Sequence, residues 1–199
     1  MKNKNSAATV AGVVASEPKK YDCCGEAFYE FDLCVKRLSG AEDLIPVNMP
    51  AILRDELKCG DKLCLIGQVR TYNKVVDGKS RLIVVFFALE AAEYTGSENY
   101  VELTGFFCKP PVLRMTPLGR NICDVQLAVN RERGKTDYVP LILWGRTAQH
   151  IARLNVGAHV NIVGRLQSRM YQKQTEQGVV EKTAYEVSVR RITEVTDDE

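Results

Sequence analysis

Apolar and polar residues alternate through much of this chain, and the alternation is written twice. Tyr29, Phe31, Leu33 and Val35 alternate with Glu30, Asp32, Cys34 and Lys36. Cys123, Val125, Leu127 and Val129 alternate with Asp124, Gln126, Ala128 and Asn130 in the same register, 94 residues later. A period of two marks a half-buried strand, because successive side chains point to opposite faces. The preceding segments match as well. Ala8-Thr9-Val10-Ala11-Gly12 parallels Val101-Glu102-Leu103-Thr104-Gly105, and Pro18 parallels Pro111, at an offset of 93. A glycine inside a strand often marks a bend or bulge, as at a barrel corner. Asp43-Leu44-Ile45-Pro46-Val47 then parallels Asp137-Tyr138-Val139-Pro140-Leu141 at an offset of 94.

A short helical pattern follows in each half, from Ile52, Leu53 and Leu57 and from Ala148, Ile151, Ala152 and Leu154. Gly60 and Gly157 suit helix ends. Lys62-Leu63-Cys64-Leu65-Ile66-Gly67 matches His159-Val160-Asn161-Ile162-Val163-Gly164 at an offset of 97. Turns near Asp77-Gly78 and Gln177-Gly178 lead into closing strands at residues 80–93 and 183–195. Five strands with a helix between the third and fourth is the order of an OB-fold, a partly open Greek-key barrel. The expected fold is therefore all-β. It comprises two tandem OB-folds, with residues 1–96 forming a degenerate copy and residues 97–199 the fuller one.

One stretch departs from simple core-and-solvent alternation. In residues 136–145 Val139, Leu141 and Leu143 share one strand face, while Tyr138, Pro140, Ile142 and Trp144 share the other. A face meeting only water should be polar. Two readings fit: an outer face offering flat rings on which unpaired bases can stack, or a strand buried on both faces with Trp144 in the core.

Charge favours the second half. Residues 1–96 hold 13 basic and 13 acidic residues. Residues 97–196 hold 14 basic and 9 acidic residues, and ten of the fourteen cations are arginine. Arginine suits phosphate forks and base stacking. The seven cysteines are odd in number and form no disulfide or metal spacing, which points to free thiols in a reducing compartment, with no metal and no cofactor. No apolar run nears the length of a membrane span, so a cytoplasmic protein without membrane contact is expected. No triad, phosphate loop, paired-carboxylate motif or metal quartet argues for an enzyme.

Four motifs, in order, resemble bacterial single-stranded DNA-binding proteins. They are Asn99-Tyr100-Val101-Glu102-Leu103-Thr104-Gly105, Val125-Gln126-Leu127-Ala128-Val129-Asn130-Arg131, Val139-Pro140-Leu141-Ile142-Leu143-Trp144-Gly145-Arg146 and Val163-Gly164-Arg165-Leu166-Gln167-Ser168-Arg169. The resemblance implies sequence-tolerant binding of single-stranded DNA in replication, recombination or repair, with stacking aromatics at Tyr138, Trp144 and Tyr171. Arg131, Arg133, Lys135, Arg146, Arg165, Arg169 and Lys173 are the candidate cations around them. In the first half Leu44 and Pro50 replace the two third-strand rings, which leaves Lys36, Arg37, Arg70, Tyr72 and Lys74 as weaker candidates.

Family members with one barrel per chain work as tetramers, so a homodimer giving four barrels is expected here. The chain closes Thr196-Asp197-Asp198-Glu199, without the family's long acidic tail and apolar tip, so recruitment of replication enzymes by that route is not expected. The competing reading is an OB-fold interaction module for primosome assembly or conjugation, in which protein contacts dominate.

Overall fold

The structure is a computed structural model that describes residues 5–76, 78–132, 134–175 and 178–195, leaving aside the side chains of Lys173 and Thr175. The first half contains β1 (Ser6–Val14), β2 (Lys19–Cys23), β3 (Glu26–Lys36), β4 (Glu42–Pro50), β5 (Lys62–Val76) and β6 (Lys79–Ala92). The second contains β7 (Glu98–Phe107), β8 (Val112–Met115), β9 (Asn121–Asn130), β10 (Thr136–Trp144), helix α1 (Gly145–Ile151), β11 (His159–Thr175) and β12 (Gly178–Glu194).

Each half closes into a five-stranded OB barrel. In the first, β1 pairs with β3 and β5, β3 with β4, β4 with β6 in parallel, and β6 with β5. The second repeats that circuit through β7, β9, β10, β12 and β11, with β10 and β12 as its parallel pair. The alternating residues fill the interiors: Leu33, Val47, Leu65 and Phe86 in one barrel, Leu103, Leu127, Leu143 and Ile162 in the other, all fully buried.

The paired glycines mark the tightest approaches. A Cβ on Gly12 would lie 2.2 Å from the Cys34 carbonyl oxygen, and one on Gly105 would lie 2.3 Å from that of Ala128. These are the points where the first strand of each barrel turns onto the second. Gly67 and Gly164 flank the register shifts in β5 and β11.

Three local features differ from the sequence expectation. Strands β2 and β8 were not anticipated; every residue in both is exposed, so neither carries an alternating pattern to read. The short helix expected in the first half is a single 3-10 turn over Ala51–Leu53, with Ile52 exposed. That turn has no side-chain cap and stops at the extended Arg54. Third, the two barrels form one continuous sheet, because β1 pairs antiparallel with β7 from Ser6 opposite Leu103 to Ala11 opposite Glu98.

A duplicated ion cluster reinforces this seam. Arg37 donates two hydrogen bonds of 2.6 Å to the Asp43 carboxylate. Asp43 also accepts the Ser168 backbone N–H at 3.0 Å, and Ser168 Oγ accepts the Leu44 N–H at 3.0 Å. At the pseudo-equivalent place Arg131 forks onto Asp137, which accepts the Thr71 backbone N–H at 2.5 Å, and Thr71 Oγ1 accepts the Tyr138 N–H at 2.8 Å. Both carboxylates are buried, and in each case the third partner belongs to the other barrel.

Candidate nucleic-acid interface

β10 separates its two faces sharply. Val139, Leu141 and Leu143 enter the core, while Tyr138 is 45% exposed and Trp144 40% exposed. Trp144 is thus a surface residue. The outer face is not uniformly open, because Ile142 is buried and Pro140 half-buried. Leu143 must fill the barrel, so strand geometry turns Trp144 outward; α1 then begins at Gly145, whose φ of +62° is costly for a residue with a Cβ.

Two hollows open along this face. One is lined by Trp144, Arg146, Arg120 and Gln149. The other is lined by Pro140, Tyr171, Arg169, Lys109, Arg114 and Asp124, among others. Arg169 donates to the buried Glu186 carboxylate at 3.1 and 3.4 Å, and its guanidinium lies 5.7 Å from the Tyr171 ring centre. This bond fixes the cation beside the ring while sharing its charge with the carboxylate. Arg114 is likewise forked onto Asp124, with one bond of 3.0 Å. Lys109, Arg114 and Arg120 were missed in the sequence reading. Arg114 lies in β8 and Lys109 and Arg120 flank it, and the available signal was three cations within twelve residues.

The remaining candidates divide by environment. Lys135 and Arg146 are exposed, Arg146 lining one hollow with Trp144, and Tyr72 and Lys74 are exposed on the first barrel. Lys36 is exposed and pairs with Glu42 at 3.7 Å. Arg131 and Arg37 are held by Asp137 and Asp43 at the seam, so their charges are already neutralised. Arg165 and Arg70 are half-buried near that seam. Burial pushes both guanidinium pKa values down, aided by Arg37 beside Arg165 and Arg131 beside Arg70. Arg133 and the Lys173 side chain lie outside the described residues.

Chemically, the outer face of the second barrel offers separated ring faces with cations at their margins. Such a surface suits a flexible anionic polymer with flat unpaired groups. β10 pairs with β9 along its whole length, with β12 at Leu141 and Ile142, and donates its Tyr138 N–H to Thr71 Oγ1 at 2.8 Å.

Known proteins match the same region. The profile of the single-strand binding protein family matches residues 98–195, the span of β7 to β12. Single-stranded DNA-binding protein 1 of Clostridium acetobutylicum is 35% identical over 82 residues, which are 37% of this chain and 74% of that protein. Single-stranded DNA-binding protein B of Bacillus subtilis is 39% identical over 88 residues, 41% of this chain and 76% of that one. Protein A of the same organism is 38% identical over 89 residues, and there the match spans 51% of the relative's length. Across the whole chain the fold resembles crystal structures of the single-stranded DNA binding protein from Thermus aquaticus. The wild-type structure gives a TM-score of 0.76 at 22% identity, covering 100% of this chain and 96% of that one. A deletion variant gives 0.77 at 21% identity, covering 100% and 98%. With the family's motifs falling in order on the strands that build the second barrel, the chain belongs to the single-strand binding protein family.

Proposed function

We propose that this chain is a non-catalytic binder of single-stranded DNA, working in replication, recombination or repair. The observation that carries this reading is the split of β10: Val139, Leu141 and Leu143 fill the core while Tyr138 and Trp144 remain on the surface. Their relatives' names point the same way. Bases stack on Tyr138, Trp144 and Tyr171. Phosphates are met by exposed cations, with Arg146 beside Trp144, Lys109 beside Tyr171, and Lys135 close to Tyr138 in the chain. Every base has a flat face, so discrimination between sequences is weak.

Two such chains give four barrels, the count that tetrameric single-barrel members reach. Sedimentation should then report roughly 45 kDa, twice the 22.3 kDa chain. A 22.3 kDa species that binds strands with full affinity would overturn the dimer and leave the binding function standing.

The deciding test is a titration of the intact protein with single-stranded DNA, single-stranded RNA and duplex DNA of equal length, followed through the fluorescence of the lone tryptophan. Single-stranded DNA should quench Trp144 and bind most tightly. Equal binding of duplex, or no binding of any strand, would overturn the proposal. The latter result would favour the interaction-module reading.

A further inference from the structure

We infer that the first barrel carries its own stacking row for single-stranded DNA, displaced to the strands on either side of the family position. The inference rests on the single-strand reading of the second barrel. Across the second barrel, register places Arg114 of β8 opposite Ile122 of β9, and Ile122 opposite Trp144 of β10. Across the first, Tyr21 of β2 lies opposite Phe28 of β3, and Phe28 opposite Pro50 of β4. Pro50 therefore stands where Trp144 stands, and its neighbours in the row are rings. On the other side, Asn48 shares the face of Pro50 and lies opposite Phe87 of β6. The matching pair in the second barrel is Ile142 and Ser188, with no ring.

These rings form a connected surface. Tyr21 and Phe28 are stacked at 5.7 Å with their planes 22° apart, and Phe28 lies 6.1 Å from Phe87. The Arg70 guanidinium lies 3.5 Å from the centre of the Phe87 ring. All four side chains are on the face opposite the core residues Tyr29 and Phe86, so the barrel interior does not account for them. Tyr21 and Tyr72 are exposed.

Charge and continuity select the occupant. Lys19, opposite Glu30 on the face of the row, and Lys74 are exposed cations around it, and Arg70 closes its seam end. Glu30 opposes them, raising the hydroxyl pKa of both Tyr21 and Tyr72 after burial has done so. Arg70 precedes Thr71, whose Oγ1 accepts the Tyr138 N–H at 2.8 Å. A strand leaving Tyr138 on the second barrel therefore meets Arg70 and Phe87 next. An aromatic row edged by cations and joined end to end with the β10 face fits a continuing polynucleotide.

The test compares intact parent, Tyr21→Ala and Tyr21→Ala/Phe87→Leu proteins on oligothymidylates of about 8 and about 30 nucleotides, lengths bracketing one and several barrel sites. The parent should bind the longer strand more tightly. The variants should weaken long-strand binding about 5- to 140-fold for each stacked base lost, while leaving the short strand and Trp144 quenching unchanged. In parallel, 5-iodouracil strands should crosslink the unmutated chain at Tyr21, Phe28 or Phe87 as well as in β10, a readout independent of how the variants fold. Variants matching the parent on the long strand, or crosslinks confined to the second barrel, would overturn the row while Trp144 quenching upholds the second-barrel site. Absence of strand binding by the parent would overturn both.

Discussion

The Asp43 carboxylate accepts the backbone N–H of Ser168 at 3.0 Å, although 125 residues separate them in the chain. Asp137 does the same for Thr71. Each aspartate thus ties its own barrel's arginine to the opposite barrel's fourth barrel strand. Replacing either aspartate leaves a partly buried guanidinium and a backbone N–H without their acceptor. Asp137→Ala should cost about 3–5 kcal/mol in denaturant unfolding, the usual loss when one member of a buried pair is removed. A loss below about 1 kcal/mol would show that the cluster contributes little.

Arginines that looked alike in the sequence should separate in experiment. Arg146→Ala should lower the slope of log affinity against log salt by up to ~1 and leave stability unchanged. Arg131→Ala should act mainly on stability, since its charge is spent on Asp137. A full unit of slope lost from Arg131, with no change in unfolding, would return that residue to the phosphate contacts.

Trp144→Ala and Tyr138→Ala should each weaken single-strand binding by about 1–3 kcal/mol, the range found when a stacking ring is removed. Both side chains are surface rings, so melting temperatures should move little. Unchanged affinity for both variants would place the strand elsewhere.

Gly12→Ala and Gly67→Ala test the crossing points. The added methyl would meet the Cys34 carbonyl oxygen at 2.2 Å in the first case and the Phe87 carbonyl oxygen at 2.1 Å in the second. The obstacle is backbone within a closed barrel, so relief requires the strands to part. Each variant should lose about 3 kcal/mol or more in unfolding experiments. Wild-type stability would mean that the barrel opens at these corners with little cost.

Burial pushes the Cys64 and Cys123 thiols up, with Glu98 and Asp124 adding to the effect. A raised folded pKa means that the folded state keeps its protons longer than the unfolded chain. Stability from these thiols is complete below the unfolded value of about 8.5 and is lost as pH rises above it. Tyr185, also raised by burial, adds to the loss above about pH 10. Calorimetry should show a melting temperature falling from about pH 8.5 upward, and Cys64→Val/Cys123→Val should flatten the first part of the decline. A flat parent curve to pH 10 would refute this account.

Much of the fold was legible because one period recurs at a nearly constant offset. Strand alternation identified Leu33 and Leu127 as core residues, and the glycine pair at 12/105 located the first bend of each barrel. Strands β2 and β8 escaped because they bury neither face. The seam was less accessible. Arg37 and Asp43 stand six residues apart, as do Arg131 and Asp137, and that repeated spacing was the available signal. Nothing in it names Thr71 or Ser168, which arrive only when the barrels meet. The Tyr21–Phe28–Phe87 row was hidden for a related reason. Its members come from three strands, and only cross-strand register makes them neighbours.

Strand β1 pairs along one edge with β5 and along the other with β7. During synthesis it precedes β7 by about 90 residues, which at typical elongation rates is roughly 5–18 s. By the end of that interval β3 to β6 have been made and the first barrel can close, yet the β7-facing edge of β1 has stayed unpaired throughout. A nascent chain would thus present a strand edge able to capture the β7 segment of a neighbouring nascent chain on the same message. The covalent joint, Glu93 to Ser97, places each chain's own β7 within reach as soon as it emerges. The short linker therefore acts as a kinetic guard, making self-pairing faster than exchange between polysome neighbours.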